Sequence, residues 1–141
     1  MSRLKQVADQ LGLPLAERQK TYNSRLSQEL AKWAESKGKG DSCHEAIFRA
    51  YFVEGKNIGN AEELVILAKS IGLPEGEARS VLESRTFKEA VDADWSRSRA
   101  LGITAVPTFV ADRQAVVGFQ SYEALEQFVK ACGAKKRKRP T

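Results

Sequence analysis

The sequence predicts an α/β chain that is mostly helical, and two observations carry this prediction. From residue 4 to residue 101, apolar side chains recur at intervals of three and four, which is the period of an amphipathic helix. After Gly102 the pattern changes to two short stretches that favour strands, followed by one more amphipathic helix. Strand signals are therefore confined to the last third of the chain.

Stripes of apolar residues and helix-end signals predict the first three helices. The stripe of the first helix ends at Gly12 and consists of Leu4, Val7, Ala8 and Leu11. The second helix can be capped by Asn23 or Ser24, and its predicted inner face consists of Leu26, Leu30, Trp33 and Ala34. The segment 42–45 matches a Ser-x-x-Glu capping box, which predicts that a third helix opens with Cys43 at its first position.

Three further helices follow. Asn60 is predicted to cap the fourth, which ends at Gly72 and buries Leu64, Val65, Leu67, Ala68 and Ile71. Pro74 begins a short fifth helix, and a second capping box at 86–89 opens a longer sixth one. We expect Trp95 of this helix to lie in the core. Asp92 and Asp94 are expected to point in different directions into solvent.

Beyond Gly102 the sequence predicts a β-hairpin and a closing helix. Its strands cover 106–111 and 115–118, joined by a turn at 112–114. Pro107 has no N–H, so it belongs at the first residue of a strand or on an edge. Ser121 is the predicted cap of the last helix, whose apolar face consists of Tyr122, Leu125, Phe128 and Val129.

Composition excludes several classes of protein. A length of 141 residues is typical of a single domain. No apolar run approaches the roughly 20 residues that a membrane span requires. The first residues lack the apolar core of a signal peptide. The only two cysteines, Cys43 and Cys132, lie far apart, which does not suggest a disulfide framework. These features predict a cytoplasmic protein with free thiols and no membrane partner.

The positive charge is concentrated at the C-terminus. The segment 135–139 alone carries five positive charges, equal to the formal net charge of +5, and the rest of the chain balances 18 basic against 18 acidic residues. A neutral body argues against nucleic-acid binding. We expect residues 134–141 to be a disordered basic tail, with weak polyanion binding or a localisation signal as the alternatives.

Several stretches resemble a known family. The segment GITAVPTFVADRQAVVGFQSYEALEQF resembles the C-terminal half of DsbA-like thioredoxin-fold proteins, close to the FrnE branch of dithiol–disulfide isomerases. The helical stretch that begins NSRLSQELAKWAESKG resembles the helical insertion of that branch. The resemblance implies a helical insertion domain at 1–100, the cis-proline strand, hairpin and closing helix of a thioredoxin-like domain at 101–133, and the tail at 134–141.

The resemblance also implies an activity, that of a thiol–disulfide oxidoreductase or isomerase. Its members use a Cys-x-x-Cys, which these 141 residues do not contain, so we expect a fragment without the redox dithiol and leave open whether it is an enzyme. On the substrate side, the Val106 backbone before Pro107 would pair with an extended peptide, a protein thiol or disulfide, or glutathione. Thr104, Ala105 and Thr108, with Phe109, would shape the floor beside it.

Two alternative functions stay open. One is a non-catalytic module that binds a peptide or a partner subunit. The other is a glutathione-dependent isomerase or transferase, similar to kappa-class transferases and 2-hydroxychromene-2-carboxylate isomerases; it is disfavoured because 118–122 lacks the acidic–basic pair typical of that branch. The resemblance also implies that the proline-led strand lacks the first strand with which it normally pairs, so we expect it to have an exposed apolar edge. We expect a homodimer through this edge, its completion by a missing N-terminal segment, or marginal stability.

Cys43 is the local candidate for nucleophilic chemistry. The predicted position at the start of a helix would favour its thiolate, and its neighbour His44 is the only histidine. The competing interpretation is a buried, inert cysteine. We expect no cofactor and no metal, because Asp41, Cys43 and His44 have no second pair of ligands elsewhere in the sequence.

Overall fold

The fold is given by a computed structural model that describes residues 2–140. Its elements are α1 (Arg3–Gln10), α2 (Arg25–Ser36), α3 (Gly40–Phe48), a π-helical turn (Arg49–Val53), α4 (Ala61–Ser70), α5 (Glu75–Ser84), α6 (Lys88–Ala100), β1 (Thr108–Ala111), β2 (Gln114–Val117) and α7 (Tyr122–Ala131). The predicted class, α/β and mostly helical, is confirmed. The chain divides into two compact units, a helical unit that ends at Asp94 and a second unit that begins at Trp95.

The core of the helical unit forms where α2, α3, α4 and α5 meet. Trp33, Leu30 and Leu64 are its largest buried apolar side chains, each no more than 2% exposed. The predicted inner faces of α2 and α4 are buried there, with Leu26 and Ile71 packed at the margin. Burying such a side chain contributes roughly 1.5–3 kcal/mol, so this cluster is the main source of stability in the unit.

Two of the predicted helix caps are present. The Asn60 side chain accepts hydrogen bonds from the backbone N–H groups of Glu62 and Glu63, at 2.9 and 3.3 Å. The Ser121 hydroxyl accepts one from Ala124 at 3.1 Å. Each cap satisfies N–H groups that have no partner inside their own helix.

The capping box predicted at 42–45 is wrong. Helix α3 begins at Gly40, so Cys43 is its fourth residue, and the Cys43 N–H already donates to the carbonyl of Lys39 at 3.0 Å. The reason lies in the preceding turn, where Gly38 adopts a φ of +73° and the Lys39 N–H closes α2 on Ala34. Because the chain reverses within three residues, the next helix can begin before Ser42.

The turn of the hairpin is shorter than predicted. Strands β1 and β2 pair antiparallel with Ala111 opposite Gln114, which leaves a turn of two residues. Asp112 and Arg113 have φ values of +46° and +63°. Positive φ at both positions is typical of a type I′ turn, whose twist matches that of the strands. Gln114 therefore belongs to β2, and β1 begins at Thr108.

Two expectations for α6 are wrong. Trp95 is 43% exposed. Val91 is the only buried residue of α6, so the apolar stripe of this helix is buried over a single turn. The two aspartates are paired instead of simply solvated, and both pairs reach α2. Arg25 Nη2 lies 2.5 Å from Asp92, and Lys32 Nζ lies 2.7 Å from Asp94.

Candidate functional site

The second unit exposes much of its apolar surface. No residue from Trp95 to Pro140 is buried. The exposed large apolar side chains of its hairpin and closing helix are Val106, Phe109, Val110, Val117, Phe119, Tyr122 and Val129. Exposed apolar side chains that are grouped in this way are typical of surfaces that contact a protein, a membrane or a ligand.

The loop that leads into β1 is the most exposed part of this surface. Residues 104–107 are all exposed, and Val106 is 90% exposed. The Val106–Pro107 peptide bond is cis. The Thr108 hydroxyl donates to the Ala105 carbonyl at 2.6 Å, which closes the loop onto the start of the strand. Among residues 2–140, the backbone N–H and C=O of Val106 have no hydrogen-bond partner.

The outer edge of β1 continues this set of unpaired backbone groups. The Gly118 N–H donates to the Pro107 carbonyl at 2.8 Å, so the inter-strand bonds fall on Pro107 and every second residue after it. The backbone groups of Thr108 and Val110 therefore point away from β2. Within the described chain the sheet has only these two strands. Val106, Thr108 and Val110 thus offer donors and acceptors to an additional strand.

The closing helix is anchored to the hairpin by its last residues. Cys132, the residue that caps α7, is partly buried, and its thiol donates to the carbonyl of Ala111 at 3.4 Å. At the other end of the helix, the Gln120 side chain donates to the carbonyl of Val117 at 3.0 Å. These two contacts attach both ends of α7 to the hairpin, and neither of them uses the outer edge of β1.

Cys43 lies in a different environment from the one that its predicted position implied. It is 0% exposed in the core of the helical unit. Burial, with the nearby Glu35 carboxylate, raises the pKa of the Cys43 thiol to about 11. His44 is exposed instead, with Nε2 3.3 Å from Glu35 Oε1. The structure therefore favours the neutral thiol of Cys43, whereas disulfide exchange requires a thiolate.

Neither a metal-binding cluster nor a membrane-spanning helix is found among the residues that the structure describes. No three His, Cys, Asp or Glu side chains within residues 2–140 are grouped so that they could hold a metal ion. Over the same residues, no helix combines the length and the apolar character needed to cross a membrane.

A buried charge network was missed from the sequence. Glu29 is 0% exposed, and Arg85 donates to both of its carboxylate oxygens, at 2.8 and 2.6 Å. Arg25 adds a third hydrogen bond at 3.2 Å. Hydrogen bonds from Arg85 first, and then from Arg25, hold the pKa of Glu29 below its usual range although burial opposes this. Since Glu29 and Arg85 are 56 positions apart, no local pattern could have paired them.

Comparison with known proteins agrees with this architecture. The family described as the DSBA-like thioredoxin domain matches residues 1–130. The chain is also 30% identical over 98 residues to the uncharacterized protein YwbO of Bacillus subtilis (strain 168). That alignment covers 69% of this chain and 49% of YwbO, so the chain spans about half the length of this relative. The chain belongs to the family of DSBA-like thioredoxin domains.

Proposed function

We propose that this chain is the substrate-binding part of a thiol–disulfide oxidoreductase or isomerase of the FrnE type, whose redox dithiol lies outside these 141 residues. The observation that carries the proposal is the unpaired backbone of Val106, continued by the outer edge of β1. Membership of the DSBA-like family supports the reaction class. The two cysteines present, Cys43 and Cys132, form no Cys-x-x-Cys.

The exposed edge suits a substrate in an extended conformation. A polypeptide segment laid along β1 would exchange backbone hydrogen bonds with Val106 and then with Thr108 and Val110. Recognition through main-chain groups gives affinity without demanding a particular sequence, as in other cases of strand addition. An enzyme that acts on disulfides in many unfolded proteins needs this kind of tolerance. Thr104 and Ala105, both exposed, leave space beside the bound segment.

In the proposed reaction the chain holds the substrate, and another segment supplies the thiolate. The thiolate sulfur attacks one sulfur of the substrate disulfide, a mixed disulfide forms, and the second sulfur leaves as a thiolate. Cys43 does not supply the attacking group, because its thiol is buried and its pKa is raised to about 11. The described residues thus contribute orientation of the disulfide and not the redox step.

A pair of proline variants tests the binding edge. Val110 and Ala115 face each other across the hairpin, and their N–H groups point to opposite outer edges of the sheet. Val110→Pro removes a donor from the β1 edge and Ala115→Pro removes one from the β2 edge, while the bonds between the strands remain. The probe is an extended peptide that contains one S-methylated cysteine, titrated into the ¹⁵N-labelled chain.

We expect shifts of the amides at 104–106 and 108–110 in the original chain and in Ala115→Pro, and their loss in Val110→Pro. Equal binding by both variants, or shifts confined to the helical unit, would contradict the proposal. Circular dichroism and the hairpin cross-peaks of each variant establish that it is folded.

A second candidate function is a non-catalytic module that binds a peptide or partner through the same edge. It is favoured by the state of the Cys43 thiol, which is buried and has a pKa raised to about 11. A disulfide-bonded peptide supplied together with a small dithiol distinguishes the two functions. Faster exchange in the presence of the chain supports the oxidoreductase, whereas binding with an unchanged exchange rate supports the module.

A further inference from the structure

The net positive charge of the chain belongs to the second unit. Residues 95–141 carry nine basic residues against three acidic ones, whereas residues 1–94 carry fourteen against fifteen. Five of the nine form the run 135–139, which we call the basic segment and in which every residue is exposed. Such an asymmetry between two parts of a chain is typical of proteins whose basic part meets an anionic partner.

The second unit neutralises little of this charge. Among residues 2–140, Lys130 is the one basic side chain of the unit that forms an ion pair, with Glu126 at 2.8 Å. Asp112 is adjacent to Arg113 in the hairpin turn and balances it in formal charge. The third acidic residue, Glu123, lies in the first turn of α7, at the opposite end of this helix from the basic segment. The five cations of the segment therefore form no ion pair in the described part of the chain.

The basic segment starts beside one end of β1. The Cys132 thiol donates to the carbonyl of Ala111, the last residue of β1, at 3.4 Å. The Ala134 N–H donates to the Val129 carbonyl at 3.0 Å, so the chain stays folded against the end of α7 up to the residue before the segment. Lys135 follows Cys132 by three residues, which span at most about 11 Å. The end of β1 at Ala111 is thus close to the start of a positively charged segment.

We infer that the second unit prefers acidic polypeptide segments, which pair with the outer edge of β1 and whose carboxylates contact the basic segment. This inference rests on the proposed function, because it uses the same edge and adds the charge of the substrate. Val106, Thr108 and Val110 are uncharged, so the edge alone does not discriminate between acidic and basic peptides. Carboxylates that extend beyond the paired residues gain charge-assisted hydrogen bonds from lysine and arginine, whereas basic side chains are repelled.

A polypeptide fits these features better than another polyanion does. An extended peptide supplies backbone donors and acceptors at the spacing of a strand, which a nucleic acid or a lipid headgroup does not. The side chains of Phe109 and Val110, which are 36% and 48% exposed, can contact apolar side chains of such a peptide. The basic segment has no aromatic side chain on which a nucleic-acid base could stack.

Three peptides with one common core test the inference. The core is extended and contains one S-methylated cysteine, and both its ends carry a run of glutamate, of glutamine or of lysine. Each peptide is titrated into the ¹⁵N-labelled chain, and the affinity is taken from the amides at 104–106 and 108–110. At low salt we expect the glutamate peptide to bind about five- to tenfold more tightly than the glutamine peptide, since one exposed ion pair contributes less than about fivefold. The lysine peptide should bind most weakly, and salt at about 1 M should remove most of these differences.

Two variants of equal charge locate the preference. The first replaces the whole basic segment: Lys135→Gln, Lys136→Gln, Arg137→Gln, Lys138→Gln and Arg139→Gln. It should bind the glutamate and glutamine peptides within about twofold of each other, with the affinity for the glutamine peptide unchanged. The matched control removes five exposed cations from the helical unit and should keep the preference: Arg3→Gln, Lys20→Gln, Lys39→Gln, Arg49→Gln and Lys69→Gln.

The outcomes separate this inference from the proposed function. Equal binding of the three peptides at β1, or a preference that the control loses as well, would overturn the inference and leave the proposed function intact. Absence of shifts at β1 with every peptide would contradict the proposed function, and the inference with it. A single-stranded RNA of equal charge that displaces the glutamate peptide more effectively than a second acidic peptide does would assign the basic segment to nucleic acid and overturn the inference.

Discussion

Arg85 and Glu29 are joined by two hydrogen bonds across 56 positions of sequence, and they connect the end of α5 to the middle of α2. The Glu29 side chain is 1% exposed and that of Arg85 is 40% exposed, so the carboxylate is inside and the guanidinium closes it off from solvent. Arg85 reaches this position from a left-handed backbone conformation, with φ at +54°. The two hydrogen bonds to Glu29 thus offset the cost of the strained backbone at Arg85.

The first prediction concerns this pair. Arg85→Ala leaves a buried carboxylate with Arg25 as its remaining partner, so we expect the free energy of unfolding to fall by about 2–3 kcal/mol. The control is Arg79→Ala, which removes an exposed ion pair with Glu62 and should cost less than about 1 kcal/mol. Urea unfolding followed by circular dichroism measures both. Similar losses in the two variants would show that the ion pair of the buried Glu29 stabilises the chain no more than the exposed pair of Glu62 does.

The second prediction is the pH dependence of stability. The pKa of Glu29 is held below its usual value of 4.5 in the folded chain. The unfolded state therefore binds the proton first, and the stabilisation is present above about pH 4.5 and lost as the pH falls through the lower, folded pKa. Glu29→Gln removes this contribution, so its unfolding free energy should change less than that of the original chain between neutral pH and pH 3.

Parallel curves for the original chain and Glu29→Gln would mean that other carboxylates dominate acid unfolding. Asp92 and Glu62 also have lowered pKa values, because each accepts hydrogen bonds from basic side chains. Asp92→Asn is thus a useful companion variant, since it separates the exposed part of the same network.

The third prediction concerns the reactivity of the two thiols. Because the Cys43 thiol is buried and its pKa is about 11, we expect its reaction with Ellman's reagent at pH 8 to be at least about 100-fold slower than that of an ordinary exposed thiol. Cys132 is only partly buried and should give the faster phase. Cys132→Ser should abolish that phase, and both thiols should react rapidly in urea. A fast reaction of Cys43 in the folded chain would reopen a catalytic role for it.

The fourth prediction concerns the hairpin that carries the candidate site. Arg113 has a φ of +63° in a two-residue turn, a conformation in which glycine has no steric cost. Arg113→Gly removes the steric cost of the left-handed conformation, roughly 1–2 kcal/mol. This exceeds the roughly 0.4–1 kcal/mol that a glycine costs through the entropy of the unfolded chain, so we expect a slightly more stable hairpin. Arg113→Val, which puts a β-branched side chain at the same φ, should do the opposite. Amide hydrogen exchange of Val116 and Gly118 reports on both, and an unchanged order of exchange would contradict the assigned turn.

Local signals in the sequence were sufficient where one residue and its near neighbours decide the structure. Asn60 and Ser121 cap their helices as predicted, because the cap is made with N–H groups two or three residues away. The apolar stripe that includes Leu30 and Trp33 also identified the buried face of α2. The change of period after Gly102 located the hairpin, although the predicted turn is one residue longer than the observed one.

Tertiary structure decided the features that depend on distant partners. Cys43 belongs to the interior of a helix because the chain reverses at Gly38, a competition between two possible starts that the capping pattern alone could not resolve. Glu29 is buried with its charge only because Arg85 arrives from elsewhere in the sequence. The sequence by itself thus determined the order of the helices and the hairpin and the inner faces of α2 and α4, through side-chain period and local hydrogen bonds. Packing decided that Glu29 and Cys43 are buried and that the outer edge of β1 stays unpaired. These features depend on groups that only the folded chain brings together.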